Sequence, residues 1–286
     1  MKVPSSLCEG LMEAIPRRCS WRRYTGEDLS EHQKSTLKAY SAELNKAFRY
    51  VRLQVVEGEL AKAAMTTPIG IGVIRGVVFC AAIVVNTSSP RPETDIEAGM
   101  IGQLFILKAI SLDLQNVWIG MVNVLGQSKV FKENGLINCE TESIIAFLPV
   151  GHATNPKYGQ TRRPSLEKFM VCPPSIQSTP NVQMVANAVL RSPSALNRMP
   201  YKLIIKQGDD TSLEHPSITD VHLAVSNPTV SGSYLSHWLD AGIGAVHALL
   251  ALQTLDSCTD KDAIEISYLL GEENAITLTS RAYNQQ

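Results

Sequence analysis

The chain has 286 residues, 44% of them hydrophobic, with 26 lysines and arginines against 27 aspartates and glutamates. That length and apolar content can bury a sizeable core, as one large domain or two small ones. The near-neutral balance argues against a polyanion surface, which needs a spread positive excess. It leaves no nucleic-acid partner as the expectation.

The N-terminal stretch "MKVPSSLCEGLMEAI" lacks an uninterrupted apolar run with a small-residue cleavage site, and no window approaches 18 uncharged apolar residues. The expectation is a cytoplasmic chain with no membrane partner. Next, "IPRRCSWRRYT" puts Arg17, Arg18, Arg22 and Arg23 into seven positions. Residues 28–48 then open on an N-cap candidate and keep helical apolar spacing, which predicts an amphipathic helix. "YVRLQVVEGE" alternates as a strand does, and the apolar run "RGVVFCAAIVV" (75–85) predicts a buried strand. "IEAGMIGQLFILKAISLDL" is apolar nearly all round, as a central helix is, and "ESIIAFLPVG" closes the first half as another buried strand.

After the connector "CPPSIQSTPN" the order repeats: helix "VQMVANAVL", strands "YKLIIKQGDD" and "DVHLAVSN", long apolar helix "WLDAGIGAVHALLALQTLD", strand "AITLTS". Glu97-x-Gly99 matches Asp240-x-Gly242, Leu107 matches Leu250, and Leu112-Asp113 matches Leu255-Asp256, all 143 positions apart. This reads as an internal duplication. Two similar α+β repeats, residues 1–170 and 171–286, would pack their long helices together as a pseudo-dimer in one compact unit.

Two segments carry chemistry. In Arg18-Cys19-Ser20-Trp21-Arg22 two guanidiniums and a hydroxyl are spaced to converge on one phosphate, with turn N–H groups adding donors. A solvated basic turn whose arginines pair with Glu27 and Asp28 is the structural alternative. Before the second-half strand, Pro193, Ser194 and Asn197 form P-S-x-x-N, where proline fixes a turn and the polar side chains offer themselves to a ligand edge. By itself it is equally an ordinary turn.

Taken together, the two segments resemble the FMN-dependent nitroreductase family, in its fused, internally duplicated branch. In that family R-x-S-x-R holds the flavin phosphate, and P-S-x-x-N-x-Q-P-W approaches the flavin from the other subunit. Here Met199 stands for the usual Gln and Tyr201 for Trp. "VWIGM" (117–121), "FLPVGH" and "TRRP" (161–164) also resemble family segments. The resemblance implies an α+β nitroreductase-like fold. It further implies FMN held by Arg18, Cys19, Ser20, Arg22 and Arg162 or Arg163, with Pro193, Ser194 and Asn197 at its other side. Backbone at Gly120 and Met121 would contact the ring near N5. NADH or NADPH would be the co-substrate and a nitroaromatic, quinone or similar small molecule the acceptor, with no catalytic side chain.

Each half keeps a different motif. Aligned with the second copy, Ala42, Glu43 and Lys46 stand where half one should show P-S-x-x-N, and no arginine lies between Arg163 and Arg191 to rebuild R-x-S-x-R in half two. One flavin site per chain follows, and a monomer is possible because the repeat supplies the second half of the site. The alternative is a non-catalytic flavin-binding or scaffold protein on the same fold.

Other motifs carry less. "GIGVIRG" (70–76) has the wrong spacing for a dinucleotide loop and leads into a strand, where that motif must open a helix. Ser233, His237 and Asp240 fall at i, i+4 and i+7 of one predicted helix and read as a polar face. The histidines lack ligand spacing and the six cysteines form no C-x-x-C, so no metal is expected and the thiols should be reduced. Trp118 reads as core or as a wall of the flavin pocket.

Overall fold

A computed structural model of the chain describes residues 1–65, 74–120, 128–155, 163–207, 218–226, 235–255, 260–270 and 274–280. Helix α1 (Glu31–Ala47) starts at Ser30, whose side chain accepts from the Gln33 amide while Gln33 reaches back, a full capping box. The true start therefore lies two residues beyond Asp28. Strand β1 (Val51–Glu57) gives way at Gly58 to helix α2 (Gly58–Met65), which takes up the end of the expected strand. Strand β2 (Phe79–Asn86) is buried from residue 79 to 85. Helix α3 (Glu93–Ser111) leads to β3 (Gln115–Asn116), α4 (Ser128–Glu133) and β4 (Glu142–Gly151).

Helix α5 (Leu166–Phe169), β5 (Met170–Val171), α6 (Pro180–Leu190), β6 (Tyr201–Gln207), β7 (Ile218–Val225), α7 (His237–Thr254), β8 (Ile264–Leu269) and β9 (Ala275–Ser280) follow. One sheet has the order β1-β2-β4-β3 and is antiparallel throughout. The other has the order β5-β6-β7-β9-β8, with only β5 and β6 parallel.

The buried strands need cover on both faces. A large apolar cluster joins α1, α3, α6 and α7 to both sheets, and a smaller one, with Ala61, Ala64, Phe131 and Phe147, fills the far side of the first sheet beneath α2 and α4. Helices α3 and α7 are buried almost all round and pack directly on each other. They approach until backbone meets backbone. A Cβ on Gly99 would lie 2.1 Å from the Leu239 carbonyl oxygen, and one on Gly242 would lie 2.3 Å from that of Ile96. The contact is reciprocal, since Ile96 and Gly99 correspond to Leu239 and Gly242 at the same 143-residue offset. Among the described residues, no helix is long and apolar enough to cross a membrane.

Candidate functional site

The arginine segment is threaded between β strands. Ser20 bridges Asn116 in parallel, the Trp21 amide donates to the Asn116 carbonyl at 2.9 Å, Arg23 bridges Arg75, and Tyr24 bridges Ala153. Pairing on both sides drives Arg18 inward, to 8% exposure, while Ser20 and Arg22 stay exposed and Cys19 is half-buried. The arginines do not pair with Glu27 or Asp28. Arg17 pairs with Asp113, and Asp28 lies by Lys34.

Arg18 reaches Ser20 Oγ from Nη1 at 3.4 Å, but its buried Nε meets no acceptor among the described residues. Burial, and then the charge of Arg163, lower its pKa to about 10. Arg163 is lowered too, chiefly by burial. It donates to Asn197 Oδ1 and, at 3.3 Å, to the Arg191 carbonyl. Two cations held close enough to oppose each other, one with an unmet buried donor, suit a dianion. The structure thus bonds Arg163 to Asn197 and puts the Arg163 charge within reach of Arg18, some 145 positions earlier. Arg162 and Met121 lie outside the described residues; Gly120 is half-buried, beside the two-way bridge between Ile119 and Phe147.

The P-S-x-x-N segment is a strained turn. Leu196, Asn197 and Met199 have φ of 54°, 58° and 47°, the left-handed region, where each non-glycine residue costs roughly 1–3 kcal/mol. It is held together by Ser194, whose Oγ accepts from the Met199 amide at 2.9 Å and whose carbonyl accepts from the Asn197 amide. Pro193 is half-buried at its start. Tyr201, by contrast, is buried and its hydroxyl meets that of Ser192. In the first half helix replaces such a turn: Ala42, Glu43 and Lys46 lie within α1, with Glu43 and Lys46 ion-paired at its surface.

Three residues that the sequence does not single out as site residues complete the neighbourhood. Helical spacing puts Asp240 on a polar face, yet it is 1% exposed, because the start of α7 lies under the turn. Its Oδ1 accepts from the Ala195 amide at 2.8 Å and its buried Oδ2 has no partner among the described residues. The one available signal is the 143-residue match with Glu97, an acid at the same place in both long helices. Ser233 lies outside the described residues, and His237 is half-buried, bonded to the Ser226 carbonyl.

Gln103 and His247 are fully buried where α3 meets α7. His247 Nδ1 donates to the Ala188 carbonyl at 2.7 Å, so its Nε2 accepts from Gln103 Nε2 at 2.8 Å, and Gln103 Oε1 accepts from Trp118 Nε1 at 3.2 Å. Burial pushes this imidazole down to about 3; the bond to Ala188 opposes that, and the charges of Arg18 and Arg163 add to it. Trp118 is half-buried, packed against the large apolar cluster and held by this bond. Among the described residues, no group of three or more histidine, cysteine or acidic side chains could hold a metal.

A family model described as "Putative TM nitroreductase" matches residues 10–251, and the chain belongs to this nitroreductase family. The fold is shared with a "putative nitroreductase" of Thermotoga maritima MSB8 at a TM-score of 0.59 and 15% identity, over 94% of this chain and 93% of that one. A putative nitroreductase solved in complex with FMN from Desulfovibrio desulfuricans is 20% identical, with a TM-score of 0.45 over 56% of this chain and 94% of that one. A nitroreductase with bound FMN from Desulfitobacterium hafniense DCB-2 is 17% identical, with a TM-score of 0.46 over 56% of this chain and 96% of that one. A search of curated proteins gave no match.

Proposed function

We propose that the chain is a cytoplasmic, FMN-dependent NAD(P)H oxidoreductase of nitroreductase type, with one flavin site assembled from two repeats, 1–170 and 171–286. The observation that carries this reading is buried Arg18, whose Nε meets no acceptor among the described residues and which feels the charge of Arg163, with Asn197 bonded to the latter. Arg18, Ser20, Arg22 and Arg163 would hold the terminal phosphate, each charge-assisted bond contributing roughly 1.5–3 kcal/mol. Ser194 and Asn197 would face the flavin from the second repeat, and the backbone at Gly120 would face its ring. When bound, the flavin supplies hydride transfer from NADH or NADPH to a nitroaromatic, quinone or similar acceptor. The chain's own part is to bind, orient and exclude water, so no acid, base or nucleophile is needed.

The reciprocal Gly99 and Gly242 contacts support a duplicated, pseudo-dimeric arrangement, because equivalent positions of two copies meet each other. The loss of the turn from α1 supports a single site. Stoichiometry and colour test the reading. Purified protein should carry one FMN per chain, bleach anaerobically with NADH or NADPH, and lose its flavin in an Arg18→Ala, Arg22→Ala double variant. Yellow protein that no nicotinamide bleaches would point to a non-catalytic flavin binder. Protein unable to take up FMN at all would overturn the flavin reading.

A further inference from the structure

Gln103 and His247 form a fully buried polar pair where α3 crosses α7, and the crossing itself does not need it. At the 143-residue offset that relates the two helices, Gln103 corresponds to Val246 and His247 to Leu104, both apolar and fully buried. A buried polar pair can hold two helices in register. Here Gly99 and Gly242 already do so through backbone contact. The polar pair therefore stands on one side of the crossing only, the side of Trp118.

Its bonds run in one direction. The Ala188 carbonyl can only accept, so His247 carries its proton on Nδ1 and accepts on Nε2; Gln103 must then turn its amide nitrogen to His247 and its oxygen to Trp118 Nε1. Burial, and the Arg18 and Arg163 charges, push the imidazole down to about 3, so it stays neutral and the direction persists at working pH. The indole also has a fitted seat. A Cβ on Gly102 would lie 2.3 Å from Trp118 Cη2 and 2.7 Å from Ile83 Cδ1, whereas α7 carries Ala245 at the equivalent place. One residue later, Ile119 exchanges two backbone bonds with Phe147, at 2.9 and 2.8 Å; two residues earlier, Asn116 pairs with Ser20 of the arginine segment.

We propose that Gln103 and His247 are positioning residues that hold the Trp118 indole as an aromatic wall beside the Arg18 and Arg163 anion site, for a ligand that carries both a planar ring and a phosphate. Half-buried, the indole keeps surface to offer such a ring. Ring contacts contribute only at the right separation and tilt, and an indole already fixed through Nε1 spares the ligand the cost of ordering it. FMN belongs to this ligand class, so the proposal rests on the flavin reading above for its ligand; the chain of bonds does not.

The test joins a flavin-free readout to FMN fluorescence titration. Gln103→Val with His247→Leu copies the Val246 and Leu104 pair and removes both polar partners together, which should leave the fold about as stable as wild type. In flavin-free protein the Trp118 indole N–H, identified by its loss in Trp118→Leu, should exchange about tenfold or more faster in the double variant than in the wild type. FMN affinity should fall about 3- to 10-fold in the double variant, by a similar factor in Trp118→Leu, and no further when the two are combined. Should the double variant not fold, Gln103→Met takes its place with the same readouts. An indole N–H that exchanges alike in wild type and variant, FMN affinity within about twofold of wild type, or losses that add on combination with Trp118→Leu would each overturn the proposal. A wild type that binds no FMN overturns the flavin reading, while indole exchange still decides whether Gln103 and His247 hold Trp118.

Discussion

Replacing Arg18 with methionine should make the flavin-free protein more stable and a worse flavin binder. Holding this guanidinium down at about 10 means that folding sacrifices about 3 kcal/mol of its favourable charged state. The sign follows from the direction: a base with a depressed pKa carries this cost in full at every pH below about 10, and so at neutrality. Methionine keeps most of the buried stem and removes the charge, at the loss of one long bond to Ser20. A net gain of about 1–3 kcal/mol is expected, since a buried unmet donor alone costs that much. In a chain of this size that raises Tm by roughly 2–10 °C. FMN affinity should fall roughly 10- to 150-fold, the worth of one charge-assisted bond of about 1.5–3 kcal/mol. Melting of flavin-free protein and fluorescence titration with FMN read the two effects. If Arg18→Met lowers the flavin-free Tm, Arg18 is structural and the anion-site reasoning is wrong; FMN affinity within about twofold of wild type would refute it equally.

Two further experiments probe the frame around the site. Gly99→Ala and Gly242→Ala should each cost about 3 kcal/mol or more in urea unfolding, because the new methyl meets backbone that cannot swing aside and the helical preference for alanine returns only about 1 kcal/mol. The two costs should agree within about 1 kcal/mol, and either variant exceeding wild-type stability would contradict the crossing. Stability against pH should separate Asp240 from His247. Asp240 holds its proton in the fold from about 3.8 to about 7 where the unfolded chain does not, so its share of stability falls as pH rises; His247 refuses a proton between about 6.5 and about 3, so its share rises with pH. Relative to the wild type, Asp240→Asn should gain stability with rising pH at up to about 1.4 kcal/mol per pH unit, and His247→Gln should lose it. Parallel slopes in the two variants would show that one of the shifts is misassigned.

Periodicity is enough for the elements that bury a whole face. The apolar runs of β2 and β4 and the all-round apolar α3 and α7 are observed where their patterns put them, since burial on every side leaves a continuous signal. Elements with mixed surfaces are harder to see. Strand β8, "IEISYL", alternates with Glu and Ser over six residues, and α2 begins on a glycine that reads as a break. The motif Arg18-x-Ser20-x-Arg22 marks the segment that the fold buries, but its partners come from tertiary packing. Nothing local in the sequence says that Arg163 will reach Asn197, that Arg17 will pair with Asp113, or that Asp240 will be buried under a turn 45 residues earlier. Hydrophobic periodicity marks Asp240 as a polar interruption; only the acid at the equivalent place in the other helix hints at a reason.

Where α1 runs unbroken through Lys46, the later half interrupts its own chain to form the turn around Asn197. An assembly of two identical polypeptides could not differ in this way, because every substitution in it is made twice. Under the proposed duplication each copy would be free to specialise, one end drifting toward pure support while the other refines its grip on a ligand. In this reading the Glu43–Lys46 pair is what a former binding edge becomes once selection on it has lapsed.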